Sequence, residues 1–145
     1  MTPREITLLQ TSFQKVAPVS EQTAAQFYSR LFELDPRMRA VFQGNLTVEG
    51  RKLMALVALT VKHLHRFDRL VPSVHRLGLR YAAYHLTENN YRTIGEALLW
   101  ALARVLGDAF TNDLQSAWAE AYWIFAETLK AGGEESLARQ IRATA

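Results

Sequence analysis

The sequence predicts an all-α domain, and three observations carry that prediction. Apolar residues recur at helical spacing from end to end, capping residues and glycines punctuate them at helix-length intervals, and no stretch alternates with a strand period. A chain of 145 residues, 49% apolar, can bury about two-thirds of the surface its unfolded form exposes, so one domain suffices.

The first helix opens at Thr2-Pro3-Arg4-Glu5. Threonine is the cap, proline stands where its missing N–H does no harm, and glutamate follows three residues after the cap. Ile6, Leu9, Phe13 and Val16 form its apolar stripe, and Pro18 stops it. Ser20 is expected to cap a second helix carrying Ala24, Phe27, Leu31 and Leu34. Asp35-Pro36 begins a short third one that ends near Phe42-Gln43-Gly44.

Thr47 is expected to cap a long helix through Leu53, Leu56, Val57, Thr60 and Leu64, ending about His65. Pro72-Ser73 opens the next, with Val74, Leu77, Tyr81 and Tyr84 on one face. Thr87 precedes a helix through Ile94, Leu98, Ala101, Leu102 and Val105, closed by Gly107. Thr111 caps the last large helix, with Trp118, Tyr122, Phe125 and Leu129 on one side. Gly132-Gly133 is expected to end it. That leaves residues 1–131 as the domain and residues 132–145 as an exposed tail, helical or not.

Composition narrows the function. With no cysteine, there is no disulfide, thiolate metal site or cysteine nucleophile, which fits a cytoplasmic protein. Seventeen Lys and Arg are scattered among fourteen Asp and Glu, so a net charge of +3 does not gather into a nucleic-acid-binding face. The longest apolar run, Met54 to Val61, is interrupted by Thr60 and ended by Lys62, too short for a membrane span. The N-terminus has no signal-peptide pattern. No nucleophile–base pair, phosphate loop or histidine-rich metal spacing marks a catalytic centre, and no catalytic residue is assigned.

Several motifs together resemble a bacterial single-domain globin of the type found as the haem domain of flavohaemoglobins. They are Phe27-Tyr28-Ser29-Arg30-Leu31-Phe32, Met38-Arg39-Ala40-Val41-Phe42, Glu49-Gly50-Arg51-Lys52-Leu53-Met54, Leu77 through His85, Tyr91 through Trp100, Leu106 through Thr111, and Ala117 through Tyr122. The resemblance runs from about Glu5 to Lys130. It implies a globin fold of six to eight helices around a haem-sized pocket, with haem b as cofactor and small ligands of iron as its partners. In that frame Tyr28 is the distal hydrogen-bonding tyrosine, Phe42 packs flat on haem, Leu53 lies over the iron, and Lys52 reaches a propionate. Glu49 takes the place of a distal glutamine. Leu77, Tyr91 and Ile94 complete the proximal side.

The departures fall where chemistry would occur. Tyr81 stands at the place of the proximal histidine, and the position of a family glutamate late in the last helix is Gly133, with Glu134 beside it. No reductase portion is expected. Two readings of Tyr81 stay open. It is a phenolate ligand to ferric iron, as tyrosine is in catalase, or an aromatic core residue filling a pocket without haem. His85, one turn further on, is the alternative ligand. His63 and His65 lie roughly 21 to 24 Å along the helix from Glu49, too far to ligate, and His75 is at the start of its helix. Glu49 is either a distal proton-transfer group or a surface residue paired with Arg51 or Lys52.

The first functional expectation is a ferric, tyrosine-ligated globin that senses or binds haem or gas ligands rather than carrying oxygen, with slow peroxidase-like chemistry as its only enzyme activity. The second is a haem-free globin module that regulates or binds an unidentified protein partner. A monomer or homodimer is expected in either case.

Overall fold

The computed structural model describes the backbone of residues 1–144 and every side chain among them except those at positions 136, 137, 140 and 144. Six α-helices follow in order: α1 Pro3–Val16, α2 Ser20–Leu34, α3 Leu46–Lys62, α4 Val71–Ala82, α5 Glu88–Leu106 and α6 Asn112–Thr144. Short 3-10 turns join most of them, and no strand occurs among the described residues.

Most helix ends follow from local chemistry. Thr2 accepts the Glu5 N–H, and Thr111 accepts the Leu114 N–H. Thr87 and Asn90 form a reciprocal capping box at the start of α5. Gly107 ends α5 at φ +56°, a backbone region that other residues enter only under strain.

Four expectations need correction. Ser20 does not cap α2. The chain passes through a 3-10 turn (Ala17–Val19) and Ser20 is already helical, so its hydroxyl is not placed to accept from the first turn. Asn45, rather than Thr47, caps α3: its amide oxygen accepts the N–H groups of both Thr47 and Val48. That helix ends at Lys62 instead of His65, and Leu64–Arg69 forms a 3-10 segment with non-helical backbone at Arg66.

The fourth correction is the largest. Gly132-Gly133 does not end α6, which continues to Thr144. These glycines serve close approach. A Cβ on Gly132 would lie 2.4 Å from the His75 Cα, and one on Gly78 would lie 2.2 Å from the Leu129 carbonyl oxygen. Backbone therefore meets backbone where α4 crosses α6, the most extensive packing in the molecule. Without tertiary context a Gly-Gly pair reads as a stop; here the neighbouring helix holds it helical. Of the tail that was expected from residue 132, residue 145 lies outside the described residues.

The remaining packing divides the helices into two groups. α2 lies against α3 and α5, whereas α4 lies against α6. α1 rests on α3, α5 and α6, where Leu9, Val16, Leu102 and Trp118 form the main core. Each such aliphatic side chain contributes about 1.5–3 kcal/mol by leaving water. The buried Ser12 hydroxyl donates to the Leu9 carbonyl and accepts the Trp118 indole N–H at 3.0 Å, so neither polar group is stranded. α3 and α4 make at most marginal contact with each other. The space between them is where the site lies.

Candidate functional site

Because α3 is held by α2 and α4 by α6, their facing surfaces are left as the walls of a crevice. α5 and α6 close its floor. From α3 come Leu53 and Leu56, from α4 Leu77 and Tyr81, from α5 Tyr91 and Ile94, and from α6 Tyr122 and Phe125. The crevice continues inward past Val57, Leu64, Leu98 and Trp118. Its two apolar compartments measure about 120 and 100 Å³. Both fall below the roughly 300–1,000 Å³ of a formed small-molecule site.

Aromatic rings occupy the outer part. Tyr28 packs edge-on to Phe42 at 5.5 Å between ring centroids, and Phe42 faces Tyr81 at 6.3 Å with the rings tilted by 53°. Tyr81 in turn touches the Tyr84 ring, and the Arg80 guanidinium lies 5.9 Å from its centroid. Burial pushes the Tyr81 phenol above its ordinary range, with the nearby Arg80 charge opposing that shift and Glu49 reinforcing it. Tyr28 is raised too, by burial first and then by Tyr81 and Glu49. Both phenols are therefore neutral donors at physiological pH.

Glu49 stands at the mouth, beside Phe42, Gly44, Arg80, Tyr81 and Tyr84. One carboxylate oxygen is 3.7 Å from Lys52 Nζ and the other 3.8 Å from Arg80 Nη2. Of the two surface partners expected for it, Lys52 is present. Arg51 pairs instead with Glu21, at 2.8 Å. The residue against Tyr28 is Gly50: a Cβ there would lie 3.6 Å from the Tyr28 ring and 2.9 Å from the Ala24 Cβ. Position 50 thus packs directly against the Tyr28 ring, while Glu49 acts on Tyr28 through its charge.

On the far side of Tyr81 a second polar recess holds His85, Tyr91, Lys130, Gly133 and Glu134. Lys130 is paired with both Glu88 and Glu127 and sits over the Tyr91 ring. The Tyr91 carbonyl accepts the Tyr122 hydroxyl at 2.6 Å, which ties α5 to α6 beneath the crevice. His85 is exposed, just beyond the end of α4, at φ +51°. None of the four histidines lines either apolar compartment or the mouth. No group of three or more His, Asp or Glu poised for a metal occurs among the described residues.

The structure thus brings Phe42, Leu53, Leu77, Tyr81, Tyr91 and Ile94 to one crevice, with Glu49 and Lys52 at its rim, while Tyr28 lies behind Phe42 and lines a separate recess between α2 and α3. Arg80 enters the sequence reading only within the Leu77-to-His85 stretch, and its pairing with Glu49 was missed. No pattern along the chain marks a pairing across two helices that otherwise hardly meet.

Residues 25–129 match the family model described as Globin, and the chain belongs to the globin family. It is 30% identical over 132 residues to a flavohemoprotein of Xylella fastidiosa strain 9a5c, and those residues are 89% of this chain and 33% of that protein. A flavohemoprotein of Vibrio cholerae is 25% identical over 130 residues, 88% of this chain and 33% of that protein. The chain therefore spans about a third of the length of these relatives.

Among solved structures, an engineered carbene transferase made from a putative nitric oxide dioxygenase of Rhodothermus marinus superposes with a TM-score of 0.87. The sequences are 24% identical, and the match covers 97% of this chain and 99% of that one. A hexacoordinated heme protein from an anhydrobiotic tardigrade superposes at 0.82 with 17% identity, covering 92% of this chain and 96% of that one. At these identities the two structures speak for the fold alone. No helix among the described residues is long and apolar enough to cross a membrane.

Proposed function

We propose that this chain is a haem-binding globin in which Tyr81 takes the place of the proximal histidine. The observation that carries this reading is the position of Tyr81. Its phenol stands on the α4 wall of an apolar crevice, opposite Phe42, and none of the histidines lines either apolar compartment. The names of the flavohemoprotein relatives favour the same cofactor.

The residues fit a porphyrin in chemistry. Leu53, Leu56, Leu77, Ile94 and Phe125 offer apolar walls to a flat ring and keep water away from its centre. Arg80 and Lys52 stand at the rim where the carboxylates of haem would meet solvent. Size is the condition. A flat ring stacked on Phe42 needs about 3.5 Å clear on that face, with the Tyr81 oxygen reaching its centre from the other. Phe42 and Tyr81 are 6.3 Å apart, so Tyr81 has to swing or α4 to shift outward. Few contacts between α3 and α4 oppose that movement, whereas the close packing of α4 on α6 favours a swing of the Tyr81 side chain over a shift of the helix.

Bound haem supplies a redox-active Lewis-acid centre, and the chain's residues tune it. Tyr81 would hold the iron through its oxygen as an anionic donor; burial raises that phenol and the Arg80 charge opposes the shift, so Arg80 would favour the anionic form. An anionic oxygen favours ferric over ferrous iron, which points to sensing or binding of ligands rather than reversible oxygen carriage. Tyr28 holds a neutral hydroxyl in the distal half, able to donate to a small ligand. Phe42 packs the ring, and Tyr91 braces the proximal floor through its carbonyl bond with Tyr122.

A second reading keeps the fold without the cofactor, as an interaction or regulatory module. The closed Phe42–Tyr81 contact and the small compartments favour it. Titration of purified protein with haemin separates the two. The haem reading expects one equivalent to bind with a saturable Soret band, and Tyr81→Phe to lose the phenolate-to-iron charge-transfer absorption. Tyr81→His should yield an ordinary histidine-ligated spectrum. A wild-type protein that takes up no haemin specifically would decide for the module.

A further inference from the structure

The pairing of Glu49 has a consequence for how the crevice opens and what it admits. A porphyrin dicarboxylate must enter with its apolar edge inward and its carboxylates at a polar rim. Two polar recesses flank Tyr81. In one, Lys130 is already neutralised by Glu88 and Glu127. In the other, Arg80 and Lys52 share the single carboxylate of Glu49, each held by a different oxygen. The cations suited to the carboxylates of a porphyrin are therefore at that mouth, and an acidic side chain occupies them.

Glu49 also joins α3 to α4, two helices that scarcely touch otherwise. Its side chain is mostly buried at 19% exposure, whereas those of Arg80 and Lys52 are 57% and 62% exposed and free to turn outward. Gly44 lies against it: a Cβ at position 44 would be in ordinary contact, 3.6 Å from the Glu49 Oε1. The carboxylate is thus seated in the mouth, and the cations come to it.

The geometry points to Glu49 as a charge latch at the mouth of the crevice: it opposes porphyrin carboxylates by holding Arg80 and Lys52, the two cations they need. This rests on the porphyrin-binding reading above. It makes Glu49 a residue that sets affinity for the dicarboxylate, with no part in ligating iron. Removing its charge releases Arg80 and Lys52 and removes a like charge from the rim. For a contact in partly screened surroundings this amounts to a gain of about 3- to 10-fold in affinity.

The test uses iron-free protoporphyrin IX, which needs no axial ligand, and its dimethyl ester, which has no carboxylates. Binding to wild type, Glu49→Gln and Arg80→Gln is followed by quenching of tryptophan fluorescence, with far-ultraviolet circular dichroism confirming equal helix content. The latch requires Glu49→Gln to bind protoporphyrin IX about 3- to 10-fold more tightly than wild type, with no gain for the ester. Arg80→Gln should weaken binding of the dicarboxylate and leave the ester unaffected. An unchanged or weaker affinity of Glu49→Gln for protoporphyrin IX, or an equal gain for both compounds, overturns the latch while porphyrin binding stands. Failure of every variant to bind either compound overturns the porphyrin reading, and the latch with it.

Discussion

Single side chains decide the chemistry of this globin. In the haem reading Tyr81 offers an oxygen in place of an imidazole, and burial keeps that phenol protonated against the opposing charge of Arg80. Asp35 shows the opposite case. Hydrogen bonds from the Arg37 side chain hold its carboxyl below the usual value of 3.8, against the opposing effect of its own burial. A depressed carboxylate stabilises the fold above its unfolded pKa and loses that contribution as pH falls through the folded value. Asp35→Asn should therefore lower stability at neutral pH and flatten the fall in stability below about pH 4. Urea titrations of both proteins at pH 7 and pH 3 measure it; an equal deficit at both pH values would exclude the ion pair as the cause. Trp118→Phe should cost about 1 kcal/mol or more, because the Ser12 hydroxyl loses its indole donor in a buried site.

The helices explain why the crevice exists. α4 is anchored by α6 through glycine contacts and α3 by α2, so neither needs the other. Gly78→Ala tests that anchoring. Alanine favours a helix by about 1 kcal/mol over glycine, yet its Cβ would strike the Leu129 carbonyl. We expect a net loss of about 1–3 kcal/mol by chemical denaturation, since overpacking outweighs propensity. A stabilised variant would mean that α4 does not rest on α6 as described. This scale also shows what was legible in the chain. Thr2, Thr87 and Thr111 announced helix starts because a cap bonds to backbone three residues away, and local sequence contains both partners. Gly132-Gly133 misled for the opposite reason: its partner is His75, far away in the chain. The Glu49–Arg80 pair was hidden in the same way, while Tyr28, Phe42 and Tyr81, singled out from local motifs, stand in one run of ring contacts.

At the scale of the molecule, membership of the globin family sets the frame and the crevice sets the question. The protein either opens the Phe42–Tyr81 contact to take a cofactor or keeps it shut as core. Thermal unfolding distinguishes these, because a ligand that binds only the folded state stabilises it by mass action. At haemin a hundredfold above its dissociation constant the gain is about 2.7 kcal/mol, equivalent to roughly 6–10 °C in a domain of this size. A module that uses the fold without haem would melt at the same temperature with or without it.

The most direct test of the central claim is resonance Raman spectroscopy of the haemin-loaded protein, excited within its charge-transfer absorption. The comparison is between wild type, Tyr81→Phe and His85→Ala. Tyrosine ligation requires iron–phenolate and phenolate ring modes in wild type and His85→Ala, and their absence from Tyr81→Phe. Haem bound without those modes, or modes that persist in Tyr81→Phe, would contradict it and assign the iron to another residue.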